Sequence, residues 1–327
     1  MSILITGGAG YIGSHMAHHL LQVGENEKIT IIDNLSTGVE QNMPRGVNFV
    51  RGDIADQALV SNLLETQKVD SVIHFAGSVV VPESVEKPLD YYANNTAATR
   101  SLIEACVRQG VANFIFSSTA AVYGTPPTIP VTEDSPTAAE SPYGRSKLMT
   151  EWMLQDAAAA HGIKFGILRY FNVAGADPEG RTGQSTPRAT HLIKRACEAA
   201  TGKIPSLTIF GTDYDTPDGT GVRDFIHVSD LVDIHKCVLD HLRGGGDSLL
   251  INCGYGRGFS VREVVAAVER VSGKSLAVEL APRRPGDLAT VVANTARLSK
   301  LLNWKPRHDD LDGIVATALN WERGLGQ

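Results

Sequence analysis

Gly7, Gly10 and Gly13 lie between a short apolar run, Ser2 to Thr6, and a helical stretch, Ser14 to Val23, which Gly24 is placed to cap. A strand that turns through three spaced glycines into a helix leaves few folds open. The first two glycines permit a tight turn and close approach of the backbone to a pyrophosphate. The third lets helix pack on strand, so the helix N-terminal N–H groups face an anion. Such a triplet alone could be a simple turn. Here Asp33 answers it, 20 residues past Gly13, at the end of a second apolar run, Lys28 to Asp33. An acid at that place accepts adenosine ribose hydroxyls and repels a 2′-phosphate, which favours NAD over NADP.

The same alternation continues along the chain. Strands are expected at Val47 to Asp53, Val69 to Gly77, Asn113 to Ser118 and Lys164 to Asn172, with helices at Asp56 to Gln67, Leu89 to Gln109 and Tyr143 to His161. This β-α rhythm predicts an α/β fold, a Rossmann-type doubly wound parallel sheet with helices on both faces. The rhythm breaks after about residue 175, where Ala176 to Arg188 and Gly211 to Gly221 read as loops. A helix at Val228 to Leu242 and a strand from Leu249 follow. Helices at Ser260 to Ser272, Thr295 to Leu302 and Leu311 to Arg323, with a strand at Leu276 to Leu280, suggest a smaller α/β substrate lobe. The expected division is a dinucleotide-binding domain over 1–175 with return segments near 222–255, and a second lobe over 176–221 and 256–327.

Composition sets outer bounds. With 327 residues, 43% hydrophobic and 20% charged, the chain can bury a sizeable core. A net charge of −6 gives no overall basic surface for nucleic acid. No apolar run approaches the roughly 18 residues that cross a bilayer. Its four cysteines are scattered and suit reduced thiols in the cytoplasm.

Tyr143 and Lys147 stand four apart on an expected helix, so phenol and ammonium share one face. A neighbouring ammonium favours the phenolate and draws the Tyr towards service as a base. Such a pair also arises by chance on exposed helices; the dinucleotide site upstream gives it a task. Asp53, closing the third strand, could meet the adenine edge or cap the next helix. Phe75, Ala76, Gly77 and Ser78, ending the fourth strand, would run beside the pyrophosphate. His15 and His19 have a metal-ligand spacing but no third ligand nearby, so a polar or dimer-facing helix surface is preferred. Asp309 and Asp310 read as helix capping.

The ordered set T-G-G-A-G-Y-I-G-S-H at 6–15, S-S-T-A-A-V-Y-G at 117–124, S-P-Y-G-R-S-K at 141–147, R-Y-F-N at 169–172, G-T-G-V-R-D-F-I-H-V at 219–228 and R-R-P-G-D at 283–287 covers nearly the whole chain. It resembles the UDP-galactose (UDP-glucose) 4-epimerase family of the extended short-chain dehydrogenase/reductase superfamily. That resemblance implies that Tyr143 is the base, that Lys147 lowers its pKa and holds the nicotinamide ribose, and that Thr119 bonds the reacting 4-hydroxyl. It implies a tightly held NAD that oxidises the sugar at C4, a keto sugar that turns about its diphosphate tether, and hydride return to the opposite face. Tyr11, Ile12, Asn34, Ser36, Thr37, Gly38 and Ile54 join the cofactor contacts. Asn94 and Phe171 fit cofactor-side positions, with structural packing a close rival. On the substrate side the resemblance points to Asn172 near the diphosphate and to His191, Leu192, Thr208 and Phe210 around uridine. Arg223 and Arg284 would serve the phosphates and Asp287 the ribose, with surface salt bridges the competing reading for each Arg. The family's usual homodimer would pair helices 89–109 and 143–161.

Departures narrow the chemistry. Dehydratases of this kind carry an Asp-Glu pair after the Thr, and here Ala120 and Ala121 cannot move protons. The decarboxylases' acid is absent too. Val79 replaces a Lys that many epimerases place near the cofactor phosphates. Val291, four residues past Asp287, stands where a Tyr restricts relatives to unsubstituted hexoses, so N-acetylhexosamine nucleotides are expected to be accepted. Pentose and uronate nucleotides stay open. A nucleotide-sugar reductase would release its cofactor, and a non-catalytic NAD-binding regulator has no need of the Thr-Tyr-Lys set.

Overall fold

The computed structural model describes residues 1–23, 27–186, 189–284 and 286–325. Gly24, expected to cap the first helix, Arg188 at the end of an expected loop, and Pro285 of R-R-P-G-D lie outside the described residues. Strands run β1 Ser2–Thr6, β2 Lys28–Asp33, β3 Asn48–Arg51, β4 Ser71–His74, β5 Asn113–Thr119, β6 Lys164–Tyr170, β7 Asn172–Ala174, β8 Leu207–Phe210, β9 Val222–His227, β10 Leu249–Cys253, β11 Gly258–Ser260, β12 Val278–Ala281 and β13 Thr290–Val291. Helices are α1 Tyr11–Val23, α2 Gln57–Thr66, α3 Val81–Glu86, α4 Pro88–Tyr91, α5 Ala98–Arg108, α6 Pro142–His161, α7 Leu192–Thr201, α8 Val228–Arg243, α9 Val261–Ser272, α10 Ala296–Leu302 and α11 Leu311–Gly324.

The chain divides into two units. The first comprises Met1–Gly124, Pro136–Tyr170 and Val232–Ile251, and the second Thr125–Ser135, Phe171–Leu231 and Asn252–Gln327. The return segment therefore begins at Val232 rather than near residue 222. The reason is that β9 pairs with β7, β11 and β13 in a separate sheet.

In the first unit, β10-β6-β5-β4-β1-β2-β3 form one sheet, with parallel pairing throughout β3 to β6. Every residue of β1 is buried, as a parallel strand covered on both faces requires. Leu4, Ile32, Phe114 and Ile167 from the sheet pack with Val60, Leu102 and Leu154 from α2, α5 and α6. The strand order reverses direction between β1 and β4, which opens a crevice at the carboxyl ends of those strands. Gly7 lies at one lip of that crevice and Phe75 at the other.

Two local features shape the crevice. A Cβ on Gly13 would sit 2.2 Å from Gly7 O, and one on Gly7, at φ +69°, would sit 2.6 Å from Ala76 N. Only bare glycines let α1 start this close to β1 and β4. The expected helix Leu89 to Gln109 is interrupted: α4 runs through a π-helical turn, Tyr92–Ala97, into α5. In that turn consecutive Asn94 and Asn95 both reach Ser78, which a regular helix would hold apart.

In the second unit, α7, α9 and α11 pack around Ile193, Phe225, Val264, Val268, Ile314 and Leu319, and β8 pairs in parallel with β12. Asp310 caps α11 by accepting from Gly313 N at 2.7 Å.

Candidate active site

The cofactor cradle forms where β1, β2 and β4 end. Asp33 accepts hydrogen bonds from Ala9 N (3.0 Å) and Leu35 N (2.8 Å), so its carboxylate is fixed against the glycine turn. Gly38 lies over it, where a Cβ would be 2.9 Å from Oδ1. Ser36 N donates to Asn34 Oδ1, and Asn34 Nδ2 donates to Asp53 Oδ2 at 3.0 Å, so Asn34, Ser36, Thr37 and Gly38 wrap the acid. Asp53 does not cap α2. Asp56 does, accepting from Leu59 N, which leaves Asp53 to face Asn34 and Ala55 N. The Ile54 side chain is buried in the core, so only its backbone can face a ligand. Around Gly10, a Cβ would meet only Gly7 O, at 3.2 Å, and that side of the turn is open. Tyr11 and Ile12 begin α1, with burial raising the Tyr11 pKa. Across the crevice Ala76 N donates to Thr6 Oγ1, Phe75 packs on His235, and Ser78 is held by Asn94 and Asn95 next to Gly77.

The histidines of α1 are structural. His15 Nδ1 donates to Tyr11 O, and His19 lies 3.6 Å from Asp233. Among the described residues no cluster of metal-ligating side chains occurs.

The reacting group is built on β5 and α6. Ser141 accepts from Gly144 N and Pro142 fills the first turn, so α6 starts one residue before Tyr143. Thr119 ends β5, accepts from Ala121 N and hydrogen-bonds the Tyr143 hydroxyl. Lys147 is 3% exposed; its Nζ donates to Ser117 O at 2.9 Å and lies 5.0 Å above the Phe116 ring. Burial lowers the Lys147 pKa to about 8. Burial also raises the Tyr143 pKa, against a smaller lowering from Thr119. The polypeptide alone therefore does not depress the Tyr143 pKa as the Tyr-Lys spacing suggested. Desolvation outweighs the Thr119 hydrogen bond, and a positive charge brought close to the phenol would favour the phenolate.

Beneath this set lies a buried ion pair that sequence reading missed. Glu151 on α6 accepts from Arg169 Nε (3.0 Å) and Nη2 (2.6 Å), and also from Ser118 Oγ. Arg169 is the registered β6 neighbour of Ser118 and stacks on Tyr123. Ser118 sits between the residues that hold Lys147 and Tyr143, so the pair ties α6, β5 and β6 together below the reacting groups. An acid one turn past Lys147 and an Arg within an apolar strand were its only signals.

The second unit carries its own group. Arg223 is half-buried on β9 and donates to Val222 O (2.9 Å) and Ala289 O (3.4 Å), with no ion-pair partner among the described residues. Burial lowers its pKa. Arg284 donates to Asp287 at 2.9 Å and lies 4.7 Å over the Phe210 ring. Val291 on β13 pairs in register with Arg223. Thr208 and Phe210 sit on β8 and Asn172 on β7; His191, at the start of α7, is exposed and Leu192 half-buried. Phe171 opens the second segment of this unit, with its N–H bonded to Cys253 O. Arg223, Arg284, Asp287, Phe210 and Val291 thus share one unit, whereas Asp33, Thr119, Tyr143 and Lys147 share the other.

The model of the NAD dependent epimerase/dehydratase family matches residues 3–254. The chain belongs to that family. A UDP-glucose 4-epimerase of Azospirillum brasilense is 59% identical over 325 residues, which cover 99% of this chain and 93% of that relative. Among solved structures, a UDP-glucose 4-epimerase of Brucella ovis in complex with NAD superposes with a TM-score of 0.95 at 43% identity, covering 98% of both chains. A UDP-Glc/GlcNAc 4-epimerase of Campylobacter jejuni gives a TM-score of 0.86 at 48% identity, covering 99% of both. The family fits the cradle, because Asp33 and the uncrowded Gly10 face are what an adenosine ribose and a pyrophosphate require.

Proposed function

We propose that the protein is an NAD-dependent UDP-glucose 4-epimerase that interconverts UDP-glucose and UDP-galactose. The observation that carries this reading is the Thr119–Tyr143–Lys147 set, followed by two residues that cannot exchange protons. Ala120 and Ala121 begin a 3-10 turn, so the places where a dehydratase needs acid and base hold methyl groups. One base and one hydride carrier suffice for inversion at C4. When bound, NAD would supply a reversible hydride acceptor for C4, so that inversion needs no net redox change.

Within the chain, Tyr143 takes the proton from O4 and gives it back, while Thr119 bonds the same oxygen and keeps the phenol aimed at it. Lys147, anchored to Ser117 O, holds the nicotinamide ribose. Asp33 takes the adenosine ribose, and Asn94 and Asn95 keep the Ser78 segment beside the pyrophosphate. Arg223 and Arg284 bind the diphosphate and Asp287 the uridine ribose, so the nucleotide stays fixed while the hexose turns. Incubation with UDP-galactose and no added NAD should yield UDP-glucose, because cofactor retained through purification suffices. Stoichiometric NADH consumption instead would mark a reductase.

Val291 supports acceptance of the N-acetyl forms. On α3, α4 and α6 the side chains of Val85, Leu89, Met149 and Trp152 are exposed together, which supports a homodimer through these packed helices. A monomeric mass in solution would refute that. No helix of the described residues is long and apolar enough to cross a membrane. None of the four cysteines is in a disulfide, which supports a reducing, cytoplasmic location.

Lys147 gives a pH signature. NAD affinity of cofactor-stripped protein should weaken as pH rises through about 8, and a Lys147→Met variant should bind weakly with no such step. Stability of the stripped protein should respond with the opposite sign. Between about 8 and the ordinary value of 10.5 the unfolded chain keeps a proton that folded Lys147 has lost, so this group's contribution rises with pH. Titrations of NAD affinity and of urea midpoint against pH check both signs.

A further inference from the structure

Tyr214 is 7% exposed, and its hydroxyl has no hydrogen-bond partner among the described residues. The ring is firmly placed. Arg283 lies 4.2 Å above it, and Gly211 is so close that a Cβ there would be 2.5 Å from Cε2. Tyr214 N donates to Gly219 O, which fixes the backbone. The hydroxyl feels the charges of Arg223, Arg283, Arg284 and Asp287 together, so it belongs among the groups of the second unit's anion site.

A buried phenolic O–H without an acceptor is costly, and proteins rarely keep one without use. Its surroundings say what is missing. Arg283 is paired with Asp213 and Arg284 with Asp287, whereas Arg223 feels Asp287 but has no ion pair among the described residues, so three guanidiniums face two carboxylates. The cluster offers donors in excess and lacks an acceptor with several oxygens. A uracil edge sets an N3–H donor between its two carbonyl oxygens, and ribose hydroxyls find their acceptor in Asp287. Phosphate oxygens match the deficit.

We infer that Tyr214 is a substrate-binding residue, its hydroxyl donating to a phosphate oxygen of the nucleoside diphosphate beside Arg223. This deepens the proposed function and rests on it. The same hydroxyl is a local defect in the protein until the diphosphate arrives, so removing it has two effects of opposite sign.

The test compares NAD-loaded wild type with NAD-loaded Tyr214→Phe. UDP affinity should fall about tenfold in the variant, and the affinity of uridine, which lacks phosphate, should not change. Without nucleotide, the variant should melt about 2 °C higher than wild type. Equal UDP affinity in the two proteins, an equal loss for UDP and uridine, or a variant that melts lower would each overturn the assignment. Wild type that fails to bind UDP would instead sink the epimerase reading, and Tyr214 with it.

Discussion

A Tyr143→Phe variant should keep its fold and its NAD yet lose about 10³-fold or more in kcat for UDP-galactose. The phenyl ring preserves the edge contact with Tyr91, whose centroid lies 6.5 Å away, and preserves the buried start of α6. What disappears is the oxygen bonded to Thr119, the group proposed to take the O4 proton. Because burial raises the Tyr143 pKa, proton removal depends on charge delivered together with the cofactor, and water entering the space gains no comparable activation. KM for UDP-galactose should move by less than about threefold, since the proposed nucleotide contacts sit on β8, β9 and the loop after β12. Steady-state kinetics read both quantities. A kcat within tenfold of wild type would remove Tyr143 from its assigned role.

Val291→Tyr should change selectivity rather than rate. Val291 is half-buried on the short strand β13 and registers against Arg223, so its side chain stands next to the cation assigned to the phosphates. On the proposed substrate placement, a phenol there would fill space beside the sugar C2 substituent. Turnover of UDP-N-acetylglucosamine should fall about 100-fold or more, while UDP-galactose turnover stays within about threefold. Steric exclusion of an acetamido group achieves this because packed sites yield poorly to added volume. Parallel assays on both nucleotides decide it. Wild type with no measurable N-acetyl turnover would sink the idea before the variant was made.

Much of the cofactor side was legible because its geometry is local. Gly7, Gly10 and Gly13 need only a strand, a turn and a helix in succession, and Asp33 needs only the end of the next strand. The Tyr143–Lys147 spacing is likewise one helical turn. Harder to read were features whose partners lie far off in sequence. β8, β9 and β13 are short, and β9 is sandwiched between strands from residues 172–174, 258–260 and 290–291, so no periodicity of its own announced it. The π turn at Tyr92–Ala97 left no mark in a pattern that fits one long helix. Glu151 looked like an ordinary polar residue of α6 until Arg169 and Ser118 enclosed it. Breaking that pair with Glu151→Ala would leave the buried Arg169 guanidinium without its carboxylate, a strongly destabilising change.

The division of the chain has a consequence for its making. β6 ends at Tyr170, yet its sheet neighbour β10 starts only at Leu249. A ribosome adding about 5–20 residues per second leaves the β6 edge without its partner for several seconds while Phe171–Leu231 is being synthesised. An unpaired strand edge invites pairing with other chains. The nascent protein therefore has a definite interval of vulnerability, and the dinucleotide-binding unit cannot be released early as a finished module.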